Sequence, residues 1–145
     1  MKVWIRAVQT VTLLGLIAGL ESPEATAIRA ERTQRDMAEA LDRRLTEEGV
    51  DKAWADKTAE TIRSATAAHL PGTRVSALNC ASTLCRITFT HENASELQLV
   101  GKEFASLEPF SEGTYYRYDQ ESSPPRTTLY VMRSGQGIAE MAQNR

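Results

Sequence analysis

The sequence predicts an α+β fold, a single antiparallel sheet covered on one face by helices. Two stretches with apolar residues at helical spacing come first, and stretches with alternating residues follow on either side of a third helical stretch. The predicted order is helix, helix, β-hairpin, helix, β-hairpin, and the first two helices are expected to form a helical hairpin. Residues 28–145 are enough for one domain and contain no internal repeat.

The first 27 residues have the pattern of an export signal. Lys2 and Arg6 form a basic start, residues 7–20 are mainly apolar, and Ala25-Thr26-Ala27 offers small residues at an A-x-A cleavage site. The apolar run is shorter than the roughly 20 residues that span a bilayer. We therefore expect cleavage after Ala27 and a periplasmic or secreted protein, with an uncleaved membrane anchor as the alternative.

The charge of the chain argues against some partners. Removing the leader takes away two basic and two acidic residues, so the net charge stays at −2. This balance gives no electrostatic reason to expect nucleic-acid binding. No cluster of Lys and Arg is present to hold residues 28–145 on an anionic membrane, so no stable membrane insertion is expected after cleavage.

Two helices are predicted in the first half of the domain. Residues 28–48 form an amphipathic pattern whose apolar stripe is Met37, Leu41 and Leu45. Asp51 is placed as the N-cap of a second helix that runs to about His69. Leu70-Pro71-Gly72 ends it, because proline cannot continue the helical hydrogen bonds and glycine permits the turn.

Residues 73–80 and 84–90 are predicted to form the first β-hairpin. Placing Cys80 opposite Cys85 sorts the neighbouring residues into two faces, because Leu78 and Ser76 then lie opposite Ile87 and Phe89. Val75, Ala77 and Asn79 would lie on the other face, opposite Thr90, Thr88 and Arg86. In an exported chain two cysteines at this spacing favour a structural disulfide. A redox centre and a zinc site are the alternatives, and each lacks its usual surroundings: C-x-x-C at a helix start for the first, further ligands for the second.

A third helix and a second hairpin complete the predicted order. Asn93 with Glu96 resembles a capping box, and the helix that follows should end at Pro109. Residues 114–119 and 127–133 are predicted strands, joined by a long, proline-containing and exposed connection. The tail from Gly135 is expected to form a short helix or to be disordered.

The second hairpin holds every tyrosine of the chain, interleaved with arginines. Both residue types are favoured at protein interfaces, because they combine apolar contact area with directional hydrogen bonds. Ordinary sheet packing is the alternative, since tyrosine also favours strands. The predicted binding surface consists of Tyr115, Tyr116, Arg117, Tyr118, Arg126 and Tyr130.

No sequence motif indicates catalysis, and no catalytic residue, metal site or cofactor is predicted. The chain contains no G-x-S-x-G, no H-E-x-x-H and no P-loop. His69 and His91 are the two histidines, and each is expected to be a capping or exposed residue. A small envelope hydrolase that uses one of them is the alternative hypothesis.

The middle third of the chain resembles a loose group of exported proteobacterial proteins. In that group a helix with an acidic residue and a tryptophan precedes a C-x4-C-R hairpin. The matching residues here are Asp51–Ala55, Glu60, Ile62-Arg63, Val75 and the stretch from Cys80 through Arg86. The resemblance implies export and a Cys80–Cys85 disulfide, and it carries over no catalytic residue.

These observations together predict a small, disulfide-stapled binding protein of the cell envelope. Its expected partner is another envelope or secreted protein, which it would meet as an accessory factor, an inhibitor or an immunity protein. A module that binds cell-wall glycan is a further alternative, because exposed tyrosines would also serve that purpose.

Overall fold

The computed structural model describes residues 22–105, 107 and 113–133. Three α-helices and one sheet occur in this part of the chain, and they confirm the α+β fold class and the predicted order of elements. The helices are α1 (Pro23–Glu47), α2 (Lys52–His69) and α3 (Leu97–Ala105), with a 3₁₀ turn at Ala94–Glu96 before α3. The strands are β1 (Thr73–Cys80), β2 (Leu84–His91), β3 (Thr114–Asp119) and β4 (Arg126–Met132).

Helix α1 begins at Pro23, before the predicted start at residue 28. The Ser22 hydroxyl accepts a hydrogen bond from the Ala25 N–H at 3.1 Å, so Ser22 is the N-cap. Pro23 then occupies the first helical position, where its fixed φ suits the helix and its missing N–H is not needed. This start signal lies inside residues 1–27, whose sequence pattern indicates an export leader.

Helix α2 has the predicted bounds. Asp51 is its N-cap, and the Asp51 carboxylate accepts a hydrogen bond from the Trp54 N–H at 3.2 Å. The helix ends at His69, immediately before Leu70-Pro71-Gly72.

Helix α3 is entered through the 3₁₀ turn. The Asn93 side chain accepts a hydrogen bond from the Ser95 N–H at 3.1 Å, whereas the predicted capping box would have used the N–H of Glu96. The helix ends at Ala105 within the described residues, so the predicted end at Pro109 and the predicted tail from Gly135 lie outside them.

The first hairpin confirms the predicted register near the cysteines and corrects it further along. Cys80 lies opposite Cys85 and Leu78 lies opposite Ile87, as predicted. A β-bulge between Val75 and Ala77 then shifts the pairing, so Val75, not Ser76, lies opposite Phe89. The bulge accommodates one extra residue on β1 and places the apolar Val75 beside the core.

The four strands form one antiparallel sheet in the order β1-β2-β4-β3. The second hairpin therefore joins the first through its later strand, β4, and β3 lies at the edge. Its connection, residues 120–125, is mainly exposed, as predicted, and contains a cis peptide bond between Ser123 and Pro124.

The helices cover both faces of the sheet, whereas the sequence predicted one covered face. On the first face, α2 and α3 pack on β2 and β4 through a core of Ile62, Val100, Phe104, Cys85, Ile87, Phe89, Leu129 and Val131. On the second face, Ala38 and Leu41 of α1 pack on Leu84, Tyr130 and Met132. Since α1 and α2 contribute to different cores, they do not build the shared core that the predicted helical hairpin would have formed.

The reason lies in the sequence of the two central strands. Apolar residues occur at consecutive positions of β4, from Leu129 to Met132, so both of its faces need cover. The apolar stripe of α1 supplies that cover on the second face. The residues of α1 that pack on the sheet all lie in its C-terminal half, from Met37 to Leu45.

Candidate functional site

The predicted binding surface is distributed over both faces of β3 and β4. Because side chains alternate along a strand, Tyr116 and Tyr118 lie on the first face and Tyr115 and Arg117 on the second. The structure thus divides the six predicted residues into groups with different surroundings.

Tyr116 and Tyr118 stack on each other beside helix α3. Their ring centroids lie 6.3 Å apart with an interplanar angle of 6°. Gly101 of α3 leaves room for them, since a Cβ on Gly101 would lie 3.0 Å from the Tyr118 hydroxyl. Tyr116 packs against the first core, while Tyr118 remains 45% exposed. Of this pair, Tyr118 is the residue accessible to a partner.

Tyr130 is a core residue, and its place in the predicted binding surface is corrected. It is 1% exposed, and its hydroxyl donates a hydrogen bond to the Asp42 carboxylate of α1 at 2.9 Å. Burial, together with the Asp42 hydrogen bond, raises the pKa of Tyr130 to about 12. Tyr115 is half-buried with its ring centroid 6.0 Å from that of Tyr130. Both tyrosines therefore stabilise the contact between α1 and the sheet.

Arg117 and Arg126 are exposed, and they lie with Arg86 around one depression on the second face. We call it the arginine depression; it has a volume of about 370 Å³. Strand pairing explains the assembly, because Arg117 lies opposite Thr128, and Thr128 lies opposite Thr88. The lining residues used below are Arg86, Thr88, Arg117, Asp119, Arg126 and Thr128.

Two of the three arginines have acidic partners. Arg86 forms an ion pair with Asp42 at 3.2 Å, and Arg126 forms one with Asp119 at 3.3 Å. Both pairs are exposed and contribute little to stability. Among the described residues, no ion pair joins Arg117 to a carboxylate. Arg117 therefore supplies a positive charge that the described part of the chain does not neutralise.

The predicted cysteine pair lies at the opposite end of the sheet from the second-hairpin connection. The two sulfur atoms are 2.05 Å apart, a disulfide distance. The turn between the cysteines is held by Glu48, whose carboxylate accepts hydrogen bonds from the N–H and hydroxyl of Thr83. Arg133 binds both the Asp51 carboxylate at 2.8 Å and the Ser82 carbonyl at 3.2 Å.

These contacts explain why two parts of the sequence that resembles exported proteins, the start of α2 and the cysteine turn, lie together. The Arg133 guanidinium lies 5.4 Å from the centre of the Trp54 ring, so the acidic-tryptophan start of α2 is linked to the cysteine turn. A hydrogen bond from Arg133, followed by one from the Trp54 N–H, lowers the pKa of Asp51. Burial acts to raise the pKa of Glu48, but hydrogen bonds from Arg44 and Thr83 outweigh it, and the net shift is downward. This region is a structural junction that fixes the hairpin against α2.

The two histidines have very different surroundings. His69 is exposed at the end of α2. His91 is buried, so the expectation of a capping or exposed residue is wrong for it, and its two ring nitrogens lie 2.8 Å from the hydroxyls of Thr73 on β1 and Thr127 on β4. Both nitrogens of His91 are thus engaged in bonds that connect three neighbouring strands.

Compared with known proteins, the chain matches no family model, no curated protein and no solved structure. Within residues 22–105, 107 and 113–133, no group of three His, Cys, Asp or Glu side chains is arranged to hold a metal ion. In the same ranges, no helix is both long and apolar enough to cross a membrane.

Sequence reasoning missed the part that Arg86 takes in the candidate site. Its position on the more polar face of β2 was predicted from the register. Its proximity to Arg117 and Arg126 depends on the pairing of β2 with β4, which joins the two hairpins. No local pattern specifies which strands of two hairpins become neighbours.

Proposed function

We propose that this protein is a small exported binding protein that contacts another protein of the cell envelope through its second hairpin. It would act there as an accessory factor, an inhibitor or an immunity protein. The export pattern of the first 27 residues supports the compartment, and the cysteine pair at disulfide distance fits an oxidising one.

One observation supports the location of the contact: β3 is an edge strand with backbone groups available for pairing. The Met132 N–H donates a hydrogen bond to the Gly113 carbonyl, which makes these two residues a hydrogen-bonded pair. Since such pairs alternate in an antiparallel sheet, the N–H and C=O groups of Thr114, Tyr116 and Tyr118 face the outer edge. Among the described residues, no strand pairs with that edge.

An extended segment of a partner can add to such an edge as a new strand. Main-chain hydrogen bonds then provide affinity, and alternate side chains provide specificity. The exposed side chains of β3 are Arg117, Tyr118 and Asp119, and Arg126 lies opposite Asp119 at the end of the strand. Of these residues, Arg117, Tyr118 and Arg126 form the accessible part of the surface that the sequence predicted.

The test is crosslinking in the intact envelope followed by mass spectrometry. Two variants address different features: R117A/Y118A removes side chains, and T114P removes one outward-facing N–H. Proline is tolerated on an edge strand where the N–H faces solvent, so T114P should still fold. The matched control is R74A, which removes an exposed arginine from β1 at the opposite edge.

We expect the wild type and R74A to capture the same protein, and both β3 variants to lose it while keeping the melting temperature of the wild type. Capture that survives in both β3 variants would place the contact elsewhere. Retention of the protein by purified sacculi, with no protein crosslink, would instead favour a glycan-binding module.

A further inference from the structure

The second face of the sheet is covered unevenly. Helix α1 packs over the cross-strand pair Leu84–Met132. It also packs over Tyr130, which pairs with Arg86 two positions further along β2. Beyond these two pairs lie Thr88, Thr128 and Arg117, whose side chains are exposed or half-buried. The arginine depression is this uncovered half of the face, and it reaches the edge strand β3.

Two buried polar atoms on this face have unused hydrogen-bonding capacity. Within the described chain, neither Nε of Arg86 nor the hydroxyl of Thr90 has a hydrogen-bond partner. Buried polar groups are normally satisfied, because leaving them unpaired costs free energy. Arg86 lines the depression together with Arg117, whose guanidinium forms no ion pair with a carboxylate among the described residues.

We propose that the arginine depression binds carboxylate side chains of an extended acidic segment that the partner protein adds alongside β3. This inference rests on the proposed function and specifies the chemistry of the partner. Guanidinium groups pair with carboxylates through two parallel hydrogen bonds, which gives both strength and orientation. The chain as a whole has a net charge of −2, whereas three arginines line this depression. An acidic segment is therefore attracted to this half of the face.

The geometry of strand addition defines the sequence pattern of the segment. Side chains of the added strand alternate between the two faces. On the second face they meet Tyr115, Arg117 and Asp119, and an acidic residue is favoured as the cross-strand neighbour of Arg117. On the first face they meet Tyr116 and Tyr118, where an apolar residue is favoured. The partner segment therefore has an acidic residue beside Arg117, flanked by apolar residues that face the two tyrosines.

The test measures binding of two short capped peptides to the purified full-length protein by calorimetry. One peptide alternates valine with glutamate, and the other alternates valine with glutamine. The variants are R117Q, which removes the unneutralised charge, and R74Q as the control on β1. A hydrogen bond to a charged group contributes enough that we expect R117Q to weaken the glutamate peptide by about 10- to 100-fold.

R117Q should weaken the glutamine peptide much less than the glutamate peptide, because a neutral amide loses no charge pairing, and R74Q should bind both peptides like the wild type. Equal affinity of the wild type for the two peptides would overturn the inference, because the carboxylates would then make no contribution. Binding of anionic cell-wall fragments in place of either peptide would overturn it as well.

The two proposals fail in different ways. If envelope crosslinking identifies a partner at β3 whose contact segment has no acidic residues, the proposed function stands and the acidic segment is wrong. If the glutamate peptide binds with the expected dependence on Arg117 while no partner protein is captured, the depression is a carboxylate site and the envelope function is wrong.

Discussion

His91 shows how a residue that suggests chemistry is used for structure. The Thr127 hydroxyl lies 3.4 Å from the Leu97 carbonyl and donates to it. It can then accept a hydrogen bond from Nε2 of His91, which leaves Nδ1 to accept from the Thr73 hydroxyl. This assignment describes a neutral imidazole whose every polar atom is used in joining β1, β2 and β4.

The stability of the protein should therefore depend on pH through His91. Burial lowers the pKa of His91 below its ordinary value of 6.5. Below that value the unfolded state takes up a proton that the folded state resists, so the free energy of unfolding should fall as pH decreases from about 6.5. Melting temperatures measured across this range should show the decline.

The H91N variant should lose this dependence, because asparagine does not titrate, whereas the H69N control should keep it. Carboxylates with lowered pKa, such as those of Glu48 and Asp51, act in a separate range below their ordinary values of 4.5 and 3.8. A wild-type melting temperature that stays constant down to pH 5 would contradict the structural assignment of His91.

At the scale of elements, the first hairpin is determined mainly by its cysteine end. The pairs Cys80–Cys85, Asn79–Arg86 and Leu78–Ile87 follow the predicted register, and the shift occurs only at the far end of β1. There the Ser76 hydroxyl donates to the Thr88 carbonyl at 3.0 Å, within the bulge. The disulfide and the Glu48 contacts act on the same end, so the hairpin is constrained where its register is regular.

Removing the disulfide should destabilise the protein without changing the hairpin register. Closing so short a loop restricts the unfolded chain and contributes about 2 kcal/mol. The variant C80A/C85A should lose about that free energy of unfolding in urea, and its amide exchange should show the same β1–β2 pairing.

A reducing agent provides the control for this variant. It should lower the stability of the wild type toward that of C80A/C85A and leave the variant unchanged. Two free thiols in protein recovered from the envelope, or no effect of reduction on the wild type, would show that the cysteines are not oxidised to each other there.

At the scale of the whole molecule, helix α1 contains both the predicted cleavage site and residues that pack on the sheet. The predicted cleavage site after Ala27 lies within α1, close to the Ser22 cap. The residues that pack on the sheet begin at Met37, well beyond the site. Cleavage would therefore remove the first turn of the helix and its cap while leaving the packed stripe intact.

Mature protein isolated from the envelope should begin at Ile28. Intact-mass analysis shows whether residues 1–27 are present. The A27R variant places a large charged residue at the cleavage position and should retain the leader. A wild-type mass that includes Met1, in protein found in the cytosol, would contradict the export prediction and the compartment on which the proposed function depends.

The candidate site was predictable only in part. Tyr118, Arg117 and Arg126 were identified from their residue types, and the structure places all three at exposed positions. Tyr130 was grouped with them by residue type, although it lies within the apolar run from Leu129 to Met132, which is typical of a strand buried on both faces. Its burial follows from packing against Ala38 and Leu41 of α1, and its hydroxyl bonds Asp42 of the same helix, a residue 88 positions away along the chain.

Local interactions explain what the amino-acid order specifies for this protein. Helical periodicity, the Asp51 cap, the Leu70-Pro71-Gly72 stop and the cysteine spacing act over a few residues, so they define the elements and the first turn of the first hairpin. Long-range packing decided the rest. The β2–β4 pairing, the placement of α1 on the second face and the gathering of three arginines arise because apolar surfaces on both sides of the central strands must be covered at once.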